Sequence, residues 1–382
     1  MSTIAEQAGE QAGEQDGGHV LAPPFGKFFL PGPTEVRHEV LHAMTRQMIG
    51  HRGQDIEALM ARVAPGLKAV FRTERPVYTA TSSATGLMEA GVRNAVRKGV
   101  LCCINGSFSE RFHKAAVNSG IPAGKLEVPF GAYHSPELLA DALKGGEYDV
   151  VTIVHSETST GVLNPIADLA RVAHEAGDVA VVIDTVSSMA ASPVESDAWE
   201  LDYVLTGSQK AMALPPGLAF CTANDRVFSR ARESTRRGLY FDLLEFDEYY
   251  RKNQTPNTPA TSLLFALDAQ LQHIGAEGME ARWARHAAMA EYTWRWVEEH
   301  AALGIGVLAP AGFRSHGVTC ITMPEGKRGS DVVVAMKGRG YVLATGYGAA
   351  KDAMVRIGHM GDHTLGEVEA CLETLGEVLR DG

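Results

Sequence analysis

Several stretches of this chain are runs of consecutive apolar residues, not alternations. Residues 100–104 (Val-Leu-Cys-Cys-Ile) and 179–183 (Val-Ala-Val-Val-Ile) are of this kind, and 148–155, 201–205 and 218–222 are mostly apolar without alternating. A strand with one wet face alternates, whereas a strand covered on both faces is apolar throughout, and such coverage is typical of parallel sheets. Helical spacing fills the gaps, as in residues 55–71, where Ile56, Leu59, Met60, Val63 and Leu67 share a face, in 166–176, and in a helix opening near Ser109. Strands alternating with helices predict an α/β fold with a mainly parallel sheet flanked by helices. In such a sheet, ligands gather at the carboxyl ends of the strands.

Two of those ends carry paired chemistry. Residues 179–183 terminate in Asp184, and residues 201–205 lead into Thr206-Gly207-Ser208-Gln209-Lys210-Ala211, which Pro215-Pro216-Gly217 closes at once. A lysine and an acid at one sheet edge are the pair that pyridoxal 5'-phosphate (PLP) requires. The amine bonds to the cofactor, and the carboxylate keeps the pyridine nitrogen protonated. On its own, each has a plainer reading, a solvated loop lysine and an aspartate that caps a turn. Residues 76–80 read as another strand, followed by Thr81-Ser82-Ser83-Ala84-Thr85-Gly86 at a helix opening. Free N–H groups and hydroxyls there suit a phosphate, or equally an ordinary Ser/Thr N-cap with Glu89 nearby. Arg356 sits on the apolar run Val355-Arg356-Ile357, where a charge needs a partner, either a substrate carboxylate or an internal acid.

The remainder divides the chain into three parts. Residues 1–22 repeat Glu-Gln-Ala-Gly with few apolar side chains and read as a disordered tail, with neither a secretory nor a transit pattern. Residues 23–300 form the large domain. They begin with a rigid Pro31-Gly32-Pro33 segment and a helix over 40–50, and they end in a long helix over 278–300. Residues 301–382 form a small α+β domain with strands at 317–323 and 354–358 and helices at 330–338 and 365–379. A net charge of −11 argues against nucleic acid and anionic membranes as partners, and no apolar run approaches the roughly 18 residues of a membrane span. Five cysteines without metal-ligand spacing read as reduced core residues of a cytoplasmic protein, and no metal site is expected.

The motifs Pro31-Gly32-Pro33-Thr34, Glu157-Thr158-Ser159-Thr160-Gly161-Val162, Gly207-Ser208-Gln209-Lys210-Ala211 and Arg356-Ile357-Gly358-His359-Met360-Gly361 carry a resemblance that spans about residues 29–379. The sequence resembles class V aminotransferases of PLP fold type I, nearest the alanine–glyoxylate, serine–glyoxylate and serine–pyruvate group. That resemblance implies Lys210 as the Schiff-base lysine that also moves the proton, and Asp184 as the pyridinium partner. It implies Ser83, Ala84, Thr85 and Gln209 around the phosphate, although the family often has Gly and His at positions 84 and 85. Phe108 stands where many members have a ring-stacking Trp, and Thr158 matches the residue that contacts the ring hydroxyl. Thr258, with Thr255 beside it, matches a threonine that reaches the neighbouring subunit's phosphate, which implies a homodimer with shared active sites. Arg356 matches the arginine that grips the substrate α-carboxylate. His51 and Arg52 read as structural or dimer contacts, with a reach to the site as the alternative.

The implied reaction is ping-pong transfer of an amino group from alanine or serine to glyoxylate or pyruvate. Its rivals on this scaffold are an aspartate-type aminotransferase, a lyase or an epimerase. A cysteine desulfurase needs a nucleophilic cysteine on a mobile loop, but Cys320 and Cys371 fall within strand and helix patterns. A non-catalytic cofactor-binding regulator is the reading from a different class, and no DNA-binding helix pattern supports it.

Overall fold

The computed structural model describes residues 26–381. The sequence reading of residues 1–22 as a tail therefore lies outside the described residues. At the centre is a seven-stranded sheet with the order Tyr78–Ala80, Ala219–Ala223, Tyr203–Gly207, Ala180–Asp184, Val150–Val154, Val100–Ile104 and Ala123–Glu127. The last five are mutually parallel. Ala219–Ala223 runs against both of its neighbours, so Tyr78–Ala80 points the same way as the parallel five. The sheet is thus mainly parallel, as expected, with one strand reversed. The short Pro215-Pro216-Gly217 turn leaves no length for a crossover, so residues 219–223 return as a hairpin partner.

Burial explains the continuous apolar runs. Val151, Ile153, Val181, Ile183 and Val204 join one core, while Val150, Val154, Val182, Tyr203 and Leu205 join a second on the other face. Successive side chains point to opposite faces, and both faces are covered. The edge strand Ala123–Glu127 has Lys125 and Glu127 in place of an apolar run, as edges do, and nothing in its sequence sets it apart from a loop.

The helix expected over 40–50 spans only His38–Ala43, because Thr45 bonds its hydroxyl to the His42 carbonyl at 2.8 Å and the chain continues in turns. Between Asp184 and the strand Tyr203–Gly207, residues 185–202 contain no helix. Thr185 donates its hydroxyl to Leu205, and Ala190 and Glu200 take left-handed φ values of 67° and 52°. Those side-chain bonds and the left-handed residues hold a compact coil in place of a helix.

A four-stranded antiparallel sheet, Gly306–Val307, Val318–Thr322, Met354–Gly358 and Ala344–Thr345, carries a third core with helix Leu365–Asp381. Helix Met279–Glu299 serves two cores, placing Met279 and Trp283 in the first and Met289 and Trp296 in the third. Strand Lys27–Phe28 pairs with Tyr341–Val342, and Gly358 donates its N–H to Phe29 at 2.8 Å. The segment that follows, Pro31-Gly32-Pro33, is thereby led across the large sheet's carboxyl edge.

Candidate active site

The lysine turn is closed by its own backbone. Ser208 N–H donates to Leu218, Leu214 N–H to Ser208, and Ser208 Oγ to the Pro215 carbonyl at 2.7 Å. Ala213 absorbs the reversal with φ 51°. Thr34 ties the amino-terminal segment to this turn, its N–H to Gln209 and its hydroxyl to the Lys210 carbonyl, both at 3.1 Å. Lys210 is 8% exposed, and its Nζ donates to the Pro31 carbonyl. Gly32 is required beside it, since φ is +102° and a Cβ would lie 2.5 Å from Lys210 Cδ. Burial and, after it, the Arg356 charge lower the Lys210 amine to about 8, with Asp184 opposing.

Asp184 ends its strand 4% exposed, and among the described residues its carboxyl accepts only the Val186 N–H, at 2.7 Å on Oδ1. Burial raises its carboxyl to about 7, with the Val186 N–H opposing and the nearby Glu157 adding to the rise. Lys210 and Asp184 line one cavity of about 440 Å³ together with Ser83, Ala84, Thr85, Phe108, Arg111, Thr158, Ser187 and Gln209. The reversed strand does not disturb this convergence, because Tyr78–Ala80 delivers Ser83 and Thr85 to the same edge as the parallel strands.

One end of the cavity fits a phosphate. Ser83 precedes helix Ala84–Ala95 but its hydroxyl does not cap it, so the first N–H groups of the helix stay available. Thr85 Oγ1 accepts from Arg111 at 3.1 Å, which brings a guanidinium to the same place. Gln209 Oε1 folds back over Gly207, where a Cβ would meet it at 2.7 Å. Hydroxyls, free N–H groups and a cation at one end, a buried carboxyl and a buried amine elsewhere, make a donor set that suits PLP.

Arg111 and Glu157 escaped the sequence reading. Arg111 lies three residues beyond Phe108, one helical turn on, which returns it to the same end of its helix. Its guanidinium stands 5.0 Å from the Phe108 ring. Glu157 is fully buried and accepts from the Ser109 N–H and hydroxyl, both at 2.9 Å, from the Phe108 N–H, and from Ser159. It thus fixes the start of helix Ser109–Asn118 and the ring of Phe108. Its position just before Thr158, among small hydroxyl residues, was the signal. Thr158 Oγ1 is 2.6 Å from Ser187 Oγ.

Arg356 is 9% exposed and borders the cavity through Thr158, whose carbonyl takes Nη1 at 3.2 Å, while the Thr345 carbonyl takes Nε at 2.8 Å. Among the described residues no carboxylate pairs with it within salt-bridge distance. The internal-acid alternative is therefore not what the structure shows. Thr258 is not brought to the cavity. It is exposed, on a small cleft with Thr81, Tyr240 and Thr255. His51 and Arg52 are likewise outside it; Arg52 donates to the Pro256 carbonyl at 2.9 Å and packs over Tyr249, bracing the segment that carries Thr258. All five cysteines are free and buried, and burial pushes the Cys320 thiol up to about 12, which removes the thiolate that a desulfurase would need. No group of metal-ligating residues occurs among the described residues, and none of their helices is long and apolar enough to cross a membrane.

The sequence matches a family model described as Aminotransferase class-V over residues 125–370. It is 36% identical over 367 residues to an uncharacterized aminotransferase of Methanocaldococcus jannaschii, covering 92% of this chain and 94% of that one. It is 32% identical over 355 residues to the serine–glyoxylate aminotransferase of Methylorubrum extorquens, with 89% and 87% covered. Among solved structures, alanine–glyoxylate aminotransferase from Nostoc sp. superposes with a TM-score of 0.88 at 27% identity over the whole of both chains.

Proposed function

The chain belongs to the class V aminotransferases, with the type I PLP fold, and from that premise we propose that it binds PLP and moves an amino group from a small amino acid, alanine or serine, to glyoxylate or pyruvate. The observation that carries this reading is a buried amine and a buried carboxyl opening into one cavity whose far wall is an uncapped helix start beside a guanidinium. When bound, PLP supplies an aldehyde for amines and a ring that holds the electron pair released at the substrate carbon.

In this assignment Asp184 faces the ring nitrogen. Its raised pKa falls once a cationic N–H replaces the apolar surroundings, and a charge-assisted bond of that kind contributes roughly 1.5–3 kcal/mol. Ser83, Ala84 and Thr85 with Gln209 and Arg111 hold the phosphate, Phe108 covers a ring face, and Thr158 contacts the ring hydroxyl. Thr258 serves the phosphate of a second subunit, which accounts for its exposure in the single chain. Lys210 would hold the cofactor through its neutral amine and would carry the proton at the substrate carbon. Arg356, which no carboxylate of the described residues pairs with at salt-bridge distance, takes the substrate carboxylate in a bidentate grip. A single arginine favours monocarboxylate donors.

The test is spectroscopic. The PLP-loaded protein should be yellow, and alanine or serine should bleach it stoichiometrically while a 2-oxo acid appears. Glyoxylate or pyruvate should then restore the colour. Persistence of the yellow band with release of ammonia would assign the chain to a lyase instead.

A further inference from the structure

Tyr347 stands between two groups of the site and covers both. Its ring is 5.5 Å from that of Phe108, and Arg356 Cζ lies 5.7 Å from its centroid. It is held there by the loop's own construction. At Gly346 a Cβ would come within 2.0 Å of the Ala350 carbonyl oxygen, and Gly348 has φ +56°. Gly346 donates to Met354 at 2.9 Å and Ala350 to Tyr347 at 3.1 Å, so the ring is presented by a fixed turn that is 39% exposed at this residue.

The position has a consequence for substrate shape. A carboxylate paired with Arg356 places the adjoining carbon beside Phe108, because the Tyr347 ring that lies against Arg356 also lies against Phe108. Nζ of Lys210 is also 6.0 Å from the Phe108 ring. Arginine, lysine and Phe108 therefore surround that carbon, and the remaining side chain of the substrate must run toward the rim, where Tyr347 meets Phe108. On the reading that amino acids are the donors here, we propose that Tyr347 sets the upper size of the donor side chain, admitting groups the size of those of alanine and serine and excluding large aliphatic and aromatic ones.

The test compares the PLP-loaded wild type with Tyr347→Ala and Tyr347→Phe, using kcat/KM for phenylalanine and for alanine. In Tyr347→Ala the phenylalanine-to-alanine ratio should rise at least about tenfold, the scale on which apolar pockets discriminate size. Tyr347→Phe should keep the wild-type ratio, because ring bulk and not the hydroxyl sets the limit. Tyr347→Val, whose branched side chain suits the extended backbone at this position (φ −113°, ψ 141°), should move the ratio in the same direction should the alanine variant fold poorly. A second readout needs no turnover: titration calorimetry of 3-phenylpropionate and propionate should show the alanine variant gaining affinity for the larger acid only. An unchanged ratio with alanine still reacting, or equal affinities for the two acids in every variant, overturns the proposal. Should the wild type transfer no amino group from any donor while the acids behave as expected, the donor reading fails and the size limit stands.

Discussion

Lys210 is an amine kept from water beneath the Pro31-Gly32-Pro33 segment, with a carbonyl oxygen as its hydrogen-bond acceptor. Only the neutral amine adds to an aldehyde, and burial brings its deprotonation down to about 8. Uptake of PLP by the cofactor-free protein should therefore accelerate as pH rises through about 8, far below the ordinary lysine range, as followed by the rate at which the yellow band appears. Arg356→Leu removes a like charge and should move that midpoint upward, while weakening carboxylate substrates on the order of 10²-fold in KM. Lys210→Ala should abolish the bleaching by alanine altogether. Asp184 makes a separate prediction about the fold. Its carboxyl is raised in the folded state to about 7, so folding is opposed as pH climbs above the ordinary value of 3.8, and the full penalty is reached above about 7. At about 1.4 kcal/mol per pH unit, the effect is a few kcal/mol. Cofactor-free Asp184→Asn should accordingly melt higher than the wild type at pH 8 and alike at pH 4 by calorimetry, although it loses amino transfer.

At the level of elements, Glu157 and Gly358 show how the scaffold holds the chemistry. Glu157→Ala leaves buried N–H groups of Ser109 and Ser159 without an acceptor, at about 1–3 kcal/mol for each group. The melting temperature should fall, and PLP affinity should fall with it as Phe108 loosens. A Cβ at Gly358 would meet the Leu30 carbonyl oxygen at 2.1 Å, so Gly358→Ala forces the amino-terminal segment away from the strand and should cost about 1–3 kcal/mol in urea unfolding. Glu157 has a local signal, its place before Thr158 among small hydroxyl residues, whereas the Gly358 contact has none. The strands were legible because Val150–Val154 and Ala180–Asp184 are buried on both faces and so are apolar apart from Thr152 and the terminal Asp184. Their ends could be read for the same reason, which brought Asp184 and Lys210 to notice. Ala123–Glu127 and the coil over 185–202 were not legible, since an edge strand needs no apolar run and the coil depends on partners such as Leu205, distant in sequence. Arg111 and Tyr347 escaped notice because their significance lies in contacts between segments, Thr85 for one and Phe108 for the other.

At the scale of the whole molecule, Thr258 lies on the surface while the cavity lies inside, and this separation can be tested by mixing subunits. If one subunit completes its neighbour's phosphate site, Lys210→Ala and Thr258→Ala proteins dissociated and reassociated together should recover up to about a quarter of the wild-type sites, because each hybrid pair holds one intact copy. Assay of the mixture against the two separate variants measures it, and no recovery excludes a shared site. The amino-terminal strand raises a different matter. Residues 27–34 are clasped by Tyr341–Val342 and Gly358, and they in turn hold the Lys210 turn in place. The Lys210 turn therefore takes its final form only once residues 341–358, far beyond it in the chain, have closed on residues 27–34.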